Sequence, residues 1–271
     1  MTQRHANRVW LAANAFLATL RRDLVVTRRE LAQFLLQALI QPMFFLFIFC
    51  KVLPSIGLAA GNFASLLLPG IVGLTELMAA IQGVALPLVL DLGYAREIDD
   101  RLLAPMPIWL VAAEKVLFAA MRGVIAGSII FPAAWWTLGS RYSVRGDRIP
   151  ELIGMIVLAA FAGSGIGLLI GTMVKPEHIS LMFSLILTPL LFTGCTYYPW
   201  SALHNIRWFQ VLTLFNPLTY AAEGLRYAMV PTMRGYVMPT LPVPWVLLAL
   251  VLTIVLCFAF GVRTFRNRVV S

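Results

Sequence analysis

Six long apolar runs constrain the fold of this chain more than any other feature of the sequence. Each is about 20 residues long, which as an α-helix is enough to cross about 30 Å of hydrocarbon. We predict membrane spans at residues 31–53, 65–90, 113–138, 151–174, 179–196 and 243–262. The predicted fold class is therefore an all-α polytopic membrane protein.

The composition supports a membrane protein and excludes two other classes. Of the 271 residues, 60% are hydrophobic and only 12% are charged, whereas a soluble domain carries about a quarter charged residues. The net charge of +9 would suggest nucleic-acid binding in a soluble protein. In a multi-pass protein, basic residues more often lie in cytoplasmic loops and face anionic lipid. We therefore expect membrane lipid as a partner and no nucleic acid.

The N-terminal segment is basic and amphipathic. Val9, Phe16 and Leu20 follow helical spacing on one face, while Arg21 and Arg28 fall on another. This pattern is typical of a helix that lies in the membrane interface. We assign residues 1–30 to a cytoplasmic or interfacial amphipathic helix and residues 31–271 to the six-span domain.

The distribution of basic residues predicts the orientation of the spans. If the N-terminus is cytoplasmic, most Lys and Arg residues of the connecting segments lie on the cytoplasmic side. The positive-inside rule therefore favours cytoplasmic positions for both termini. This orientation places residues 91–112 inside and the proline-broken connection 195–240 outside.

Polar side chains interrupt the first two spans. Gln33, Gln37 and Gln41 repeat every four residues, and amides in hydrocarbon need partners. The stripe therefore packs against another helix or faces a water-filled path, and both interpretations stay open. Glu76 lies near the middle of the second span, where an ionisable group is costly and suggests a function. Arg122 in the third span is its candidate partner.

A charged cluster follows the second span. It runs from Arg96 to Leu102, and Ile98 and Leu102 are four residues apart within it. A short helix with a small apolar ridge among charges can dock into a groove of a cytosolic partner. An ordinary solvated loop is the alternative.

The outer connection contains the stretch LFNPLTYAAEGLRY, residues 214–227. Asn216 followed by Pro217 predicts a helix start. Thr219, Glu223 and Arg226 then share one helical face. The acid and the base are three residues apart and can neutralise each other.

The sequence contains no motif of an enzyme or of a metal site. The three His and three Cys residues lack metal-ligand spacing, so we expect no metal. A G-x-x-x-x-G-K-[ST] loop, a G-x-S-x-G elbow and an H-E-x-x-H pair are all missing from the sequence. The glycine-rich run AFAGSGIGLLIG in the fourth span predicts close helix packing.

With these features the chain resembles the ABC-2 type permeases, the membrane subunits of type V ABC exporters. The most specific part is residues 178–227, with a small-residue break at Thr193 and Gly194 after the fifth span and an aromatic-Pro step before the N-P-L-T-Y run. Residues 97–117 are similar to the coupling segment of the family. The matching positions there are Glu97, Leu102, Leu103, Pro105, Glu114 and Lys115, while Ile98 and Asp99 replace the common Gly-Thr.

The resemblance implies a function and partners. It implies a permease subunit of an ATP-driven exporter in a prokaryotic cytoplasmic membrane, moving a lipid, a lipid-linked glycan or a hydrophobic drug. ATP and Mg would be bound by a separate ABC ATPase subunit, present in two copies, and this chain would pair with itself or with a related permease. Residues 195–240 would form a re-entrant helical hairpin. A stand-alone secondary transporter or channel is the alternative, disfavoured because the two halves show no clear inverted repeat.

The resemblance and the residue patterns together give two sets of candidate site residues. The expected contacts with the ATPase subunit are Arg96, Glu97, Ile98, Asp99, Asp100, Arg101 and Leu102. The expected residues of the translocation path or gate are Gln33, Gln37, Gln41, Glu76, Thr219, Glu223 and Arg226. For Glu223 and Arg226, packing of the hairpin is the alternative to lining the exit.

Overall fold

The computed structural model describes residues 2–57, 63–95, 107–139, 144–230 and 239–270. In that part of the chain nine helices are named here in order. They are α1 (Thr2–Arg29), α2 (Leu31–Phe47, continued to Ser55), α3 (Phe63–Leu90, continued to Ala95), α4 (Ile108–Leu138), α5 (Ile149–Met173), α6 (Pro176–Thr193, in short pieces), α7 (Arg207–Thr213), α8 (Pro217–Met229) and α9 (Val243–Val270).

The six predicted spans are confirmed. In the described part of the chain, six helices are long and apolar enough to cross a membrane: Leu31–Ser55, Ser65–Gly93, Ile108–Leu138, Ile149–Met173, Pro176–Thr193 and Val243–Arg268. The third begins five residues before the predicted position 113, because Pro107 is extended and the helix starts directly after it. On the other side of the connecting loop, the second span, α3, continues through Ala95. Both helices therefore reach further into the predicted loop 91–112 than hydropathy indicated.

Helices α3 and α5 form the centre of the bundle. In the most apolar 18-residue stretch of each, 72% and 67% of the residues are buried, against 17% or less in the first, fifth and sixth spans. Glycines allow this contact: a Cβ at Gly163 would lie 2.8 Å from the backbone oxygen of Leu77, and one at Gly167 would lie 2.5 Å from that of Ile81. The predicted close packing of the fourth span is confirmed, because α5 and α3 touch through their backbones.

The N-terminal helix α1 packs against one end of the spans. Its half-buried residues include Ala12, Ala15 and Phe16, which contact the apolar cluster of α3, α4 and α9. Lys115 of α4 lies 3.8 Å from a carboxylate oxygen of Asp23 on α1. The predicted helix is present, and its position in the membrane interface stays a prediction.

Four helix ends lie on this side of the bundle, two of them beside the N-terminal helix. Besides Asp23, Lys115 lies 3.7 Å from a carboxylate oxygen of Asp91, at the end of α3. Arg268, near the end of α9, donates to the backbone oxygens of Thr172 and Val174 at the end of α5, at 3.1 and 2.8 Å. The end of α3 and the start of α4 therefore share one side of the bundle with α1, and the ends of α5 and α9 adjoin each other.

Candidate functional site

The start of α8 is fixed by the capping signal that the sequence contains. The side chain of Asn216 accepts a hydrogen bond from the backbone N–H of Leu218 at 2.9 Å, and Pro217 occupies the first helical position. The Asn216 amide also donates to the backbone oxygen of Leu190 at 2.7 Å and to Thr193 Oγ1 at 2.8 Å. The cap therefore also ties α8 to the end of the fifth span.

Helix α8 is buried on both of its faces. Its apolar residues Leu218, Ala222 and Leu225 are buried, and so are Glu223 and Arg226. It packs against α3, α5 and α9. The polar face therefore lies inside the protomer, among neighbouring helices.

Arg226 is the centre of a network that joins α8 to two other parts of the chain. Its Nη1 donates to Glu223 Oε1 at 2.7 Å, and both side chains are fully buried. Its Nη2 donates to the backbone oxygens of Thr196, at 3.0 Å, and of Cys195. Its Nε donates to the backbone oxygen of Leu66, near the start of α3, at 3.2 Å. One guanidinium thus connects α8, the break after α6 and the second span.

Glu223 extends this network to the last span. Its Oε1 also accepts from the backbone N–H of Trp200 at 3.0 Å, and its Oε2 accepts from that of Leu241 at 3.2 Å. Each charge of the buried pair is thus satisfied by its partner and by backbone groups, as a buried charge requires. Thr219 Oγ1 in turn donates to the backbone oxygen of Thr213 at 2.6 Å. This geometry supports the packing role for all three side chains, and lining of an exit stays a prediction.

The glutamine stripe of α2 adjoins a cavity lined by both polar and apolar side chains. We call this cavity the larger recess; it has a volume of about 170 Å³ and lies between α2, α3 and α4. Its polar lining residues are Gln37, Gln41, Thr75, Gln82 and Arg122. Gln33 lies in an adjoining smaller recess of about 100 Å³, which Gln37 and Arg122 also line.

Arg122 lies between the two recesses. Its guanidinium carbon is 4.3 Å from the ring centroid of Phe34, which is a cation–π distance. Its Nε is buried and has no hydrogen-bond acceptor among the described residues. Glu30 lines the smaller recess with it, but the described residues form no ion pair within 4.0 Å between the two.

Glu76 does not join Arg122. Its side chain is fully buried, and neither carboxyl oxygen has a hydrogen-bond partner in the described part of the chain. A Cβ at Gly127 would lie 2.7 Å from Glu76 Oε2, so the carboxyl packs directly against α4. The candidate pairing with Arg122 is therefore not formed in this structure. A role for Glu76 on a translocation path stays a prediction.

The expected contacts with an ATPase subunit lie outside the described residues. These are Arg96, Glu97, Ile98, Asp99, Asp100, Arg101 and Leu102. The described residues on either side of them, Ala95 and Pro107, are at the end of α3 and the start of α4. The segment therefore begins and ends on the side of the bundle where Lys115 contacts α1.

The comparison with known families agrees with this architecture. A model of the ABC-2 type transporter family matches residues 14–230. The chain belongs to the ABC-2 type transporter family. The matched region includes both recesses, the glutamine stripe and all of α8, and it ends before Leu241 and α9.

Among curated proteins, the chain is similar to bacterial membrane transport permeases. The chain is similar to the inner membrane transport permease YadH of Escherichia coli strain K12 and to the protein of that name in Shigella flexneri. In each case 27% of 167 aligned residues are identical, and the match covers 61% of this chain. It spans 62% of each relative's own length.

Sequence reasoning missed two features of this ABC-2 family chain. Gln82 lines the larger recess, and the available signal was an amide in a mostly apolar span, six residues after Glu76. The partners of Arg226 other than Glu223 are backbone carbonyls, and no side-chain pattern marks those.

Proposed function

We propose that this chain is the permease subunit of an ATP-driven exporter in a prokaryotic inner membrane. The observation that carries the proposal is the match of the ABC-2 type transporter family across residues 14–230. The relatives named inner membrane transport permease support the location and the transport role. The six apolar helices support a multi-pass position in that membrane.

The energy source in this proposal is a separate subunit. ATP and Mg would be bound by an ABC ATPase in two copies, and the chain itself would carry no ATPase activity. Two permease chains, identical or related, would complete the assembly. The first and fifth spans support this stoichiometry, because their apolar windows are only 17% and 11% buried within one protomer and leave long faces for a second one.

Both termini would be cytoplasmic, and residues Arg96 to Leu102 would contact the ATPase. Two observations support this placement. The segment begins and ends beside α1, and α1 exposes Arg21, Arg22 and Arg28, as expected for a cytoplasmic surface. ATP-driven closure of the ATPase pair would move these segments and rearrange the spans behind them.

The proposed substrate is amphipathic: a lipid, a lipid-linked glycan or a hydrophobic drug. The larger recess supports this class, because amides and one guanidinium adjoin apolar side chains of α2 and α3 there. An amphiphile presents the same combination of a polar group and an apolar chain.

Co-purification with an ABC ATPase encoded beside this gene tests the proposal. The full permease should retain that ATPase and raise its rate of ATP hydrolysis. Charges introduced on the apolar ridge by Ile98→Asp and Leu102→Asp should abolish both, because the ridge would be desolvated in the contact. Arg148→Gln is the matched control and should change neither. Arg148 lies directly before the start of α5.

Two results would contradict the proposal. One is an ATPase that binds the Ile98→Asp/Leu102→Asp variant as tightly as the wild-type chain, because residues Arg96 to Leu102 would then not form the contact with the ATPase. The other is transport by the purified permease with no ATPase present, which would favour a stand-alone transporter or channel.

A further inference from the structure

The larger recess has the properties of a binding site for an anion. Among the described residues that line it, Arg122 is the only charged one, and the side-chain amides of Gln37, Gln41 and Gln82 accompany it. The polar atoms of these four side chains are N–H donors and amide oxygens, and all three glutamines are exposed in a single protomer. A guanidinium with adjacent amide donors is chemistry that recognises phosphate or carboxylate oxygens.

The charge of Arg122 is incompletely satisfied in the described part of the chain. The ring of Phe34 covers one face of the guanidinium, and the buried Nε has no acceptor. A charged group at membrane depth is costly unless it is paired. Glu30 is the acid among the lining residues of the two recesses, and it lies in the smaller one, outside the larger. Among the described lining residues, an acceptor entering the larger recess would therefore meet a cation and no acid.

The depth of the recess suits a headgroup that has entered from one leaflet. With α1 in the membrane interface, as the sequence predicts, Lys115 between acids of α1 and α3 would mark the interface on that side. Arg122 is seven residues further along α4, which is about 10 Å at the helical rise of 1.5 Å per residue. Gln82 is nine residues before Asp91 on α3, or about 14 Å by the same measure. Measured from that interface, both positions would lie in the adjoining half of a hydrocarbon layer about 30 Å thick.

The recess is also large enough for a headgroup. Its volume of about 170 Å³ is several times what one ordered water needs. Leu86, on the same lining, is an exposed apolar side chain. An acyl chain could therefore extend from the recess along an apolar helix surface while the polar group stays inside.

We propose that the larger recess binds the phosphate group of an anionic amphiphile, with Arg122 as the charged donor and Gln37, Gln41 and Gln82 as amide donors. The amphiphile is either the transported substrate or a resident phospholipid, and both present the same phosphate oxygens to the guanidinium. In the first case the inference rests on the proposed export function and names its substrate class. Binding itself does not depend on that function.

A binding titration tests the site without transport. The full chain, purified in dodecyl maltoside, is titrated with a fluorescent phosphatidic acid and with the neutral diacylglycerol that carries the same chains. The phosphatidic acid should bind saturably and the diacylglycerol should not. Arg122→Gln should weaken binding of the phosphatidic acid at least about tenfold, because a charge-assisted pair is lost. Equal binding of the two probes would overturn the proposal.

Further variants separate binding from folding. Arg122→Lys keeps the charge but loses the planar fork, so it should weaken binding less than Arg122→Gln. Gln82→Ala truncates an exposed amide and should weaken binding about two- to fivefold. Glu30→Gln should leave binding unchanged or tighten it. Wild-type affinity in both Arg122→Lys and Gln82→Ala, with Arg122→Gln unfolded, would also overturn the proposal.

Arg148→Gln is the matched control for the loss of an arginine. Arg148 lies 4.0 Å from the ring centroid of Tyr227, so it too covers an aromatic ring, but near the C-terminal end of α8. Its replacement should leave the affinity for phosphatidic acid unchanged. A loss equal to that of Arg122→Gln would mean that general surface charge binds the probe, and the proposal would fail.

A transport assay distinguishes the two sources of the phosphate. The permease and its ATPase are reconstituted in vesicles with the same fluorescent phosphatidic acid, and its movement between leaflets is followed with and without ATP. ATP-driven movement identifies a transported amphiphile; saturable binding without movement identifies a resident lipid, and both keep the site. The Arg122-dependent binding is measured without the ATPase, so failure of the proposed export function would leave that binding unchanged.

Discussion

Replacement of Arg226 by methionine should open the region around Cys195, directly after the fifth span. Methionine is close to arginine in length but donates no hydrogen bond, so Glu223 would keep a buried charge without its ion-pair partner. Removal of one partner of a buried pair costs about 3–5 kcal/mol. Three backbone carbonyls, those of Leu66, Cys195 and Thr196, would also lose their guanidinium donors.

The thiol of Cys195 reports this opening directly. It is fully buried and free, and its own backbone oxygen accepts from Arg226. With Cys50 and Cys257 replaced by alanine, maleimide labelling in the native state measures how often this region opens. Since about 1.4 kcal/mol corresponds to a factor of ten, a cost of about 3–5 kcal/mol should raise the labelling rate roughly 100- to 4,000-fold.

Two variants calibrate this result. Arg145→Gln breaks an exposed pair with Asp147, and such pairs contribute little, so labelling of Cys195 should stay within twofold of the reference. Glu223→Gln should raise the rate less than Arg226→Met, because an amide oxygen can still accept from Trp200 or Leu241. A rate for Arg226→Met within threefold of the reference would refute the reasoning that this network holds the segment closed.

Three more predictions concern the spans and α1. Gly167→Ala places a Cβ 2.5 Å from a backbone oxygen of α3 and should lower the free energy of unfolding by about 1–3 kcal/mol, whereas Gly154→Ala, with open space around it, should melt like the wild type. Glu76→Gln should retain folding and transport, since neither carboxyl oxygen accepts a bond in the described residues; loss of transport by a folded variant would assign it to the path. Lys115→Met should release α1 from its two acidic contacts and make tryptic cleavage within α1 roughly fivefold faster, and unchanged cleavage would contradict that role.

The six spans could be predicted from the sequence because they follow from local properties. Apolar length alone defines a membrane helix, and the start of α8 follows from Asn216 and Pro217, which act within one turn. The small-residue break was also visible, since the fifth span ends at Thr193. The early start of the third span at Ile108 was missed, because its first turns contain Glu114 and Lys115, which lower the hydropathy there.

The surroundings of the polar side chains could not be predicted in the same way. The pattern of α8 indicates an apolar and a polar face, but not that α3, α5 and α9 cover both. Glu76 and Arg122 are the two charges deep in the second and third spans, yet they face different neighbours, Gly127 and Phe34. Such orientations depend on the rotation of each helix against the others, which one sequence does not specify.

The glutamine stripe also shows that spacing predicts a shared face but not what that face contacts. Spacing predicts that Gln33, Gln37 and Gln41 share a face, and the structure places them along two adjoining recesses. What the stripe meets there, Arg122 and Gln82, comes from helices far away in sequence. The alternatives of packing and path could therefore not be separated by spacing alone.

ATP-dependent movement of an amphiphile by the reconstituted permease and its ABC ATPase tests the account most directly. The assay follows a fluorescent lipid in sealed vesicles, with an ATPase variant that binds but does not hydrolyse ATP as the control. The account predicts movement toward the leaflet opposite the ATPase, only with hydrolysable ATP, and only when both subunits are present. Movement without the ATPase, or toward the leaflet that faces it, would contradict the assignment of this chain as the permease subunit of an exporter.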